Sequence, residues 1–175
     1  MEYPVQHQQI VKELLDGKFI LSQNNPLYEI IKANIDFYKE FFRISFGYDL
    51  LQKKTYFFLT SDESNEKLSR DITIFAGIIS YELDNEGKNF QEIIRFSIFE
   101  YDQVDAMVRG SVYFNVLESI DFGDTRRFLA RLARINLIEE LEGDKFRFTE
   151  AIDLFFDFAL SVIEQKKERI TKATK

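Results

Sequence analysis

Four arginines, Arg126, Arg127, Arg131 and Arg134, stand in "DTRRFLARLAR" (124–134), and no acid occurs between Asp124 and Glu139. At 100° per residue, Arg127, Arg131 and Arg134 fall within a sector of about 60°, opposite Phe128, Leu129, Leu132, Ala133 and Ile135. Guanidinium forks match phosphate and carboxylate geometry, so such a stripe suits nucleic-acid backbone or an acidic protein partner; a merely solvated charged face is the third reading. The neighbouring helix pattern alternates Glu29, Lys32, Asp36 and Lys39, which can pair locally, whereas Arg131 and Arg134 have nothing within their own helix to neutralise them. Lys53-Lys54, between two β-rich strings, forms a second basic candidate.

Other chemistry is poorly represented. The single histidine, His7, lies in the polar "QHQQ" and reads as a surface residue without neighbouring metal ligands. The seven glycines form neither GxGxxG nor GxxxxGK[ST], so a phosphate-cradling loop is not indicated. Asp102 and Asp105 in "YDQVD", and the acids of "SDES", could serve Mg²⁺ or acid–base chemistry, but in a chain with 30 acids they read as solvated surface. The expectation is no catalytic residues, no metal and no cofactor.

A chain of 175 residues with 45% apolar residues, 19 of them phenylalanine, has enough material for a core. The net charge of −7 excludes a protein that coats nucleic acid all over and leaves room only for a local basic patch. The absence of cysteine removes disulfides and thiolate chemistry together. Neither a signal peptide nor a run of about 20 apolar residues is indicated, which points to a cytoplasmic protein with no membrane association.

The elements that must carry the stripe come in a repeated order. "VQHQQIVKELLDGKFILS" predicts a helix ended by Gly17 and an extended "KFIL", and "NPLYEIIKANIDFYKEFF" predicts one amphipathic helix starting near Pro26. "FGYDLLQKKTYFFLT" predicts a hairpin around "QKK". After a polar linker at 61–67, "LSRDITIFAGIISYELDNEGK" predicts a helix ending near Gly87, "RFSIFEYD" alternates as a strand does, and "YDQVDAMVRG" and 124–137 predict helices. "IEELEGDKFRFT" predicts a hairpin; a two-residue Gly143-Asp144 turn would set Glu142 against Lys145, Glu140 against Arg147 and Leu141 against Phe146, so this hairpin would neutralise itself. Between 88 and 123 the short apolar runs fit strand or helix.

Helices followed by a two-stranded hairpin, twice, is the pattern of tandem winged-helix domains: an α+β, mainly helical fold with small hairpin wings, divided 1–62 and 68–175. "NIDFYKEFFRISFGYDLLQKKTYFFLTS" resembles the first winged helix of MukE and MksE proteins, the small subunits of bacterial condensin-like complexes, and "TRRFLARLARINLIEELEGDKFRFT" resembles their second winged helix and wing. The resemblance covers most of the chain. It implies a non-catalytic accessory subunit that forms a homodimer, binds a kleisin (MukF/MksF-like) and through it an SMC ATPase, and helps the complex capture DNA in chromosome organisation and segregation or plasmid defence. It also implies a nucleoid-associated location and weak DNA contact without strong sequence preference. The DNA candidates are Arg126, Arg127, Arg131, Arg134, Lys53 and Lys54. A sequence-specific winged-helix regulator and a metal-dependent nuclease using Asp102 and Asp105 are the rival classes.

The terminal segment "EAIDLFFDFALSVIEQKKER" predicts a helix whose apolar positions sweep about 240° of the wheel, leaving Asp153, Asp157, Ser161 and Glu164 a narrow remainder. One core face needs less than that. Such a helix is either buried deep in its own domain or shared with another chain, and on the second reading Leu154, Phe155, Phe158 and Val162 are the candidate partner-binding residues.

Overall fold

The computed structural model describes residues 3–159 apart from 24, 62–65 and 121. Helix α1 (His7–Leu15) closes at Gly17, whose φ of 79° lies in the left-handed region that glycine adopts without steric cost. Strand β1 (Ile20–Leu21) follows. Asn25 caps α2 (Pro26–Ala33) by accepting a 3.0 Å hydrogen bond from the Leu27 N–H, with Pro26 at the first helical position.

The single amphipathic helix expected over 26–42 is instead two. α2 stops at Asn34, which has φ −126° and ψ 35°, and α3 (Ile35–Phe46) begins after it. The Asn34 Nδ2 donates to the Ile30 carbonyl at 2.9 Å, the competition with backbone bonding that makes asparagine a poor helix-interior residue. Strands β2 (Asp49–Gln52) and β3 (Tyr56–Thr60) form the hairpin, and the first sheet has the order β1-β3-β2, antiparallel throughout.

The second half contains α4 (Glu66–Asn85), α5 (Phe90–Phe96), β4 (Phe99–Glu100), α6 (Tyr101–Gly110), α7 (Phe114–Glu118), α8 (Thr125–Arg134), β5 (Ile138–Leu141) and β6 (Lys145–Phe148). Its sheet order, β4-β6-β5, reproduces the first, with α5 and α7 as additions. The "RFSIFEYD" strand shrinks to Phe99–Glu100, because α5 takes Arg95 and Phe96 into a helix that ends at Ser97. A 3₁₀ turn (Glu150–Ile152) leads into helical backbone over 153–159.

Alternation along the first sheet makes it serve two cores. Ile20, Leu50 and Phe57 face a cluster with Ile10, Ile31, Tyr38 and Phe42. Phe19, Tyr56 and Phe58, on the opposite face, join the larger cluster built around Phe75, Phe128 and Phe146. This two-sided burial accounts for the unbroken apolar string "YFFL". The Phe19 ring lies 5.4 Å from Phe58 and 6.3 Å from Phe155.

Phe155, among the expected partner-binding residues, is only 8% exposed in the chain by itself and packs at the junction between the halves. Leu154 is half-buried against the same core, Phe158 is 59% exposed, and Val162 lies outside the described residues. The broad apolar face has an internal explanation as far as residue 159. Phe155 packs on the first sheet, while Phe156 packs beside Phe90 and Phe148 of the second half.

A polar clamp reinforces this junction. The Phe19 N–H donates to the Ile135 carbonyl at 3.1 Å, and Asn136 Nδ2 donates to the Phe19 carbonyl at 2.8 Å. Asn136 itself has φ 63°, and its carbonyl accepts from the Thr149 hydroxyl at 2.7 Å. Asn136→Ala is expected to cost about 2–4 kcal/mol, the lost hydrogen bond plus a left-handed alanine. Asn136→Gly, which relieves the backbone, is expected to cost less; chemical denaturation of the two variants measures the difference.

His7 also departs from its surface assignment. Its ring stacks on Tyr3 at 4.5 Å and on Tyr38 at 5.7 Å, with Phe37 and Phe41 edge-on, and its Nδ1 is enclosed without a hydrogen-bond partner among the described residues. Burial pushes its pKa below the ordinary value. The unfolded chain then binds a proton more readily than the folded one, so this stability is present above pH ~6.5 and is lost as pH falls. His7→Phe is expected to narrow the gap in melting temperature between pH 7.5 and pH 5.5; an unchanged gap would show that His7 does not set it.

Candidate nucleic-acid interface

Helix α8 is positioned from its inner face. Thr125, Phe128, Leu129 and Leu132 are buried, and the Asp124 carboxylate accepts the Arg127 N–H at 3.1 Å as the N-terminal cap. The opposite side carries the arginines. Arg127 and Arg134 are exposed, and Arg131 is half-buried with its guanidinium 5.9 Å from the Phe128 ring centroid. Among the described residues no acid lies within ion-pair distance of these three.

Arg126, grouped with them from the sequence, differs in having acidic partners. Its Nη2 donates to Asp102 at 2.8 Å, and Nη1 and Nη2 together fork onto the Asp144 carboxylate at 3.2 and 3.1 Å. The guanidinium also sits 5.3 Å from the Tyr101 ring centroid. The acids come from α6 and from the β5–β6 turn, so no inspection of α8 alone could reveal them. Arg126 in turn holds the Asp144 carboxyl below its usual pKa.

The second hairpin neutralises itself, but with another register. Gly143 and Asp144 both take positive φ, 73° and 57°, and Leu141 pairs with Lys145, leaving a three-residue loop. Glu139 rather than Glu140 faces Arg147, and the two form an ion pair at 2.6 Å. Lys145 approaches Glu100 of β4 at 3.7 Å, and Glu140 accepts the Tyr101 hydroxyl at 3.0 Å. The observed register sets Ile138 opposite Phe148, both buried; a shift by one would put Glu139 opposite that buried ring.

Lys53 and Lys54 are exposed at the β2–β3 turn, where the Tyr28 hydroxyl donates to the Lys54 carbonyl at 3.2 Å. Strand β1 connects this tip to α8. Ser22 N–H donates to the Thr55 carbonyl, and Phe19, about 10 Å back along extended chain, is bonded to Ile135 beside Arg134. The counterpart of α8 in the first half is α3, and it differs in charge. With β2 it forms a groove of about 410 Å³ lined by Asp36, Lys39, Glu40, Arg43 and Asp49, where acids outnumber bases.

Of the acids weighed for metal or acid–base chemistry, those of "SDES" lie outside the described residues, and Asp102 and Asp105 are engaged. Asp102 faces Arg126, while a hydrogen bond from Thr125 and the Arg109 guanidinium hold the Asp105 carboxyl below its usual range. Among the described residues, no cluster of three histidine or acidic side chains could hold a metal ion, and no helix is long and apolar enough to cross a membrane.

The family profile described as condensin complex protein MksE matches residues 5–160, from before α1 through the end of the described helix. The chain belongs to the MksE family. Membership makes it a condensin complex subunit, with its partnerships inside an SMC–kleisin complex, in a family of accessory subunits not known as catalytic. The match takes in both halves and the whole of α8, so the arginine face lies within the matched residues. A comparison with curated proteins finds no match.

Proposed function

We propose that this MksE-family chain is a non-catalytic subunit that dimerises, binds the kleisin of its complex and lends that complex a phosphate-contacting surface during DNA capture. Its setting is chromosome organisation and segregation or plasmid defence. Each half, 1–62 and 68–175, is read as a winged helix, with α3 and α8 in the recognition-helix position and the β2–β3 and β5–β6 hairpins as wings. The repeated order of helices and strands and the two equivalent sheet orders support that reading.

The observation that supports DNA contact is the face of Arg127, Arg131 and Arg134, with no acid within ion-pair distance among the described residues of a chain of net charge −7. Contacts through guanidinium to phosphate carry no base information, so binding is weak, salt-sensitive and indifferent to sequence. Anisotropy of a labelled mixed-sequence duplex, titrated over salt, is expected to give a slope of about −2.7 in log K against log salt, three contacts at about 0.9 each. Salt-resistant binding to one palindrome would instead favour a sequence-specific regulator. Light scattering with the kleisin of the same complex tests the assembly: a dimer that shifts to a larger defined species is expected, and a monomer indifferent to the kleisin would refute it.

A further inference from the structure

Arg126 stands at the N-terminal end of the same helix, yet its seat is built to hold it. Tyr101, only 8% exposed, lies beneath the guanidinium, with its hydroxyl fixed to Glu140 on β5. Above the ring the two oxygens of Asp144 meet the fork of Nη1 and Nη2, and Asp102 takes a further bond from Nη2. A carboxylate gripped by two guanidinium nitrogens presents the charge and spacing that a phosphate presents to the same fork. Both acids are themselves open to solvent, with side chains 88% and 73% exposed, so they are not there to fill a core.

We infer that Asp102 and Asp144 act as an internal substitute for phosphate, withholding Arg126 from nucleic acid and limiting the α8 surface to three arginines. The inference rests on the reading of α8 as a nucleic-acid face. Asp144 sits at the tip of the second hairpin and Asp102 in the first turn of α6, so the clamp draws on two elements that border α8. Its consequence is a deliberately weak grip, in which a fourth contact is present but occupied.

The test is a cycle on the full chain, using a labelled 30-base-pair duplex of mixed sequence at salt concentrations from 25 mM upward. Asparagine is tolerated at the left-handed φ of 57° found at Asp144, so D102N/D144N keeps the turn. This variant is expected to steepen the salt slope by about 0.9 and to bind about tenfold tighter at 50 mM salt. R126A is expected to remove that added slope in the D102N/D144N background and to leave the slope unchanged in the parent protein. Equal effects of R126A in both backgrounds would overturn the inference, because charges acting independently would add. A gain in slope that survives R126A would overturn it as well. If the parent protein binds with the three-contact slope and D102N/D144N matches it, only the clamp falls; if no variant binds at 25 mM, the α8 reading falls and takes the clamp with it.

Discussion

Replacing Arg127, Arg131 and Arg134 together with glutamine is expected to flatten the salt dependence of DNA binding and to push affinity out of the measurable range. Each phosphate contact contributes about 0.9 to the slope, which between 50 mM and 1 M salt amounts to about fifteenfold in affinity, so three lost contacts amount to roughly three-thousandfold. Glutamine is the informative substitution because it keeps the aliphatic stem. Arg131 is half-buried over Phe128, and alanine there would confound lost packing with lost charge. The Asp124 cap and the buried face of Thr125, Phe128, Leu129 and Leu132 are untouched, so α8 should stay folded, as circular dichroism would verify. Unaltered binding by the triple variant would return the stripe to a solvated face and shift attention to Lys53 and Lys54.

A second large effect is expected at high pH. Burial pushes Tyr38, Tyr56 and Tyr101 up to about 12, with the carboxylates of Asp153, Asp157 and Glu150 adding to the effect at Tyr56 and the Glu140 hydrogen bond adding to it at Tyr101. The Tyr38 hydroxyl has no hydrogen-bond partner among the described residues, and its ring is wholly buried. The sign is unambiguous. The folded chain keeps these protons to higher pH than the unfolded chain, so their contribution is intact below pH ~10 and is lost as pH rises through about 12. A two-unit rise corresponds to about 3 kcal/mol, a large fraction of a domain's stability of roughly 5–15 kcal/mol, and three tyrosines lose it over the same pH range. Tyrosine ionisation followed at 295 nm should therefore be cooperative and coincide with loss of helical signal before pH 12. Gradual ionisation with the fold retained beyond pH 12 would contradict this.

The two effects act on different links of one chain of causes. The tyrosines stabilise the cores that hold α8 in place, and Tyr101 additionally fixes the platform under Arg126. Loss of the Tyr101 proton would put a negative charge beside Glu140 and Asp144, disturbing the hairpin that borders the arginine face.

Much of this was written in local patterns. The glycines at 17, 47 and 87 ended helices, since each takes a positive φ that other residues avoid, and the unbroken β-rich "YFFL" and the alternating "KFRF" marked strands. The apolar spacing of 128, 129 and 132 decided which way α8 turns its arginines, because helical period alone puts them opposite one another. The Asn34 break carried a local signal too, a polar residue inside an apolar face, overridden in the sequence reading by the continuity of the pattern around it.

Partnership across space was decided by the tertiary structure alone. Which acids meet Arg126, which glutamate meets Arg147, and whether Phe155 faces solvent or Phe19 all depend on packing between segments far apart in the chain. His7 shows the same dependence: a polar sequence neighbourhood gave no sign of the aromatic rings that α3 brings around it. Period and backbone preference set the direction in which a side chain leaves its own element. What it meets there is set by the other elements buried against that face.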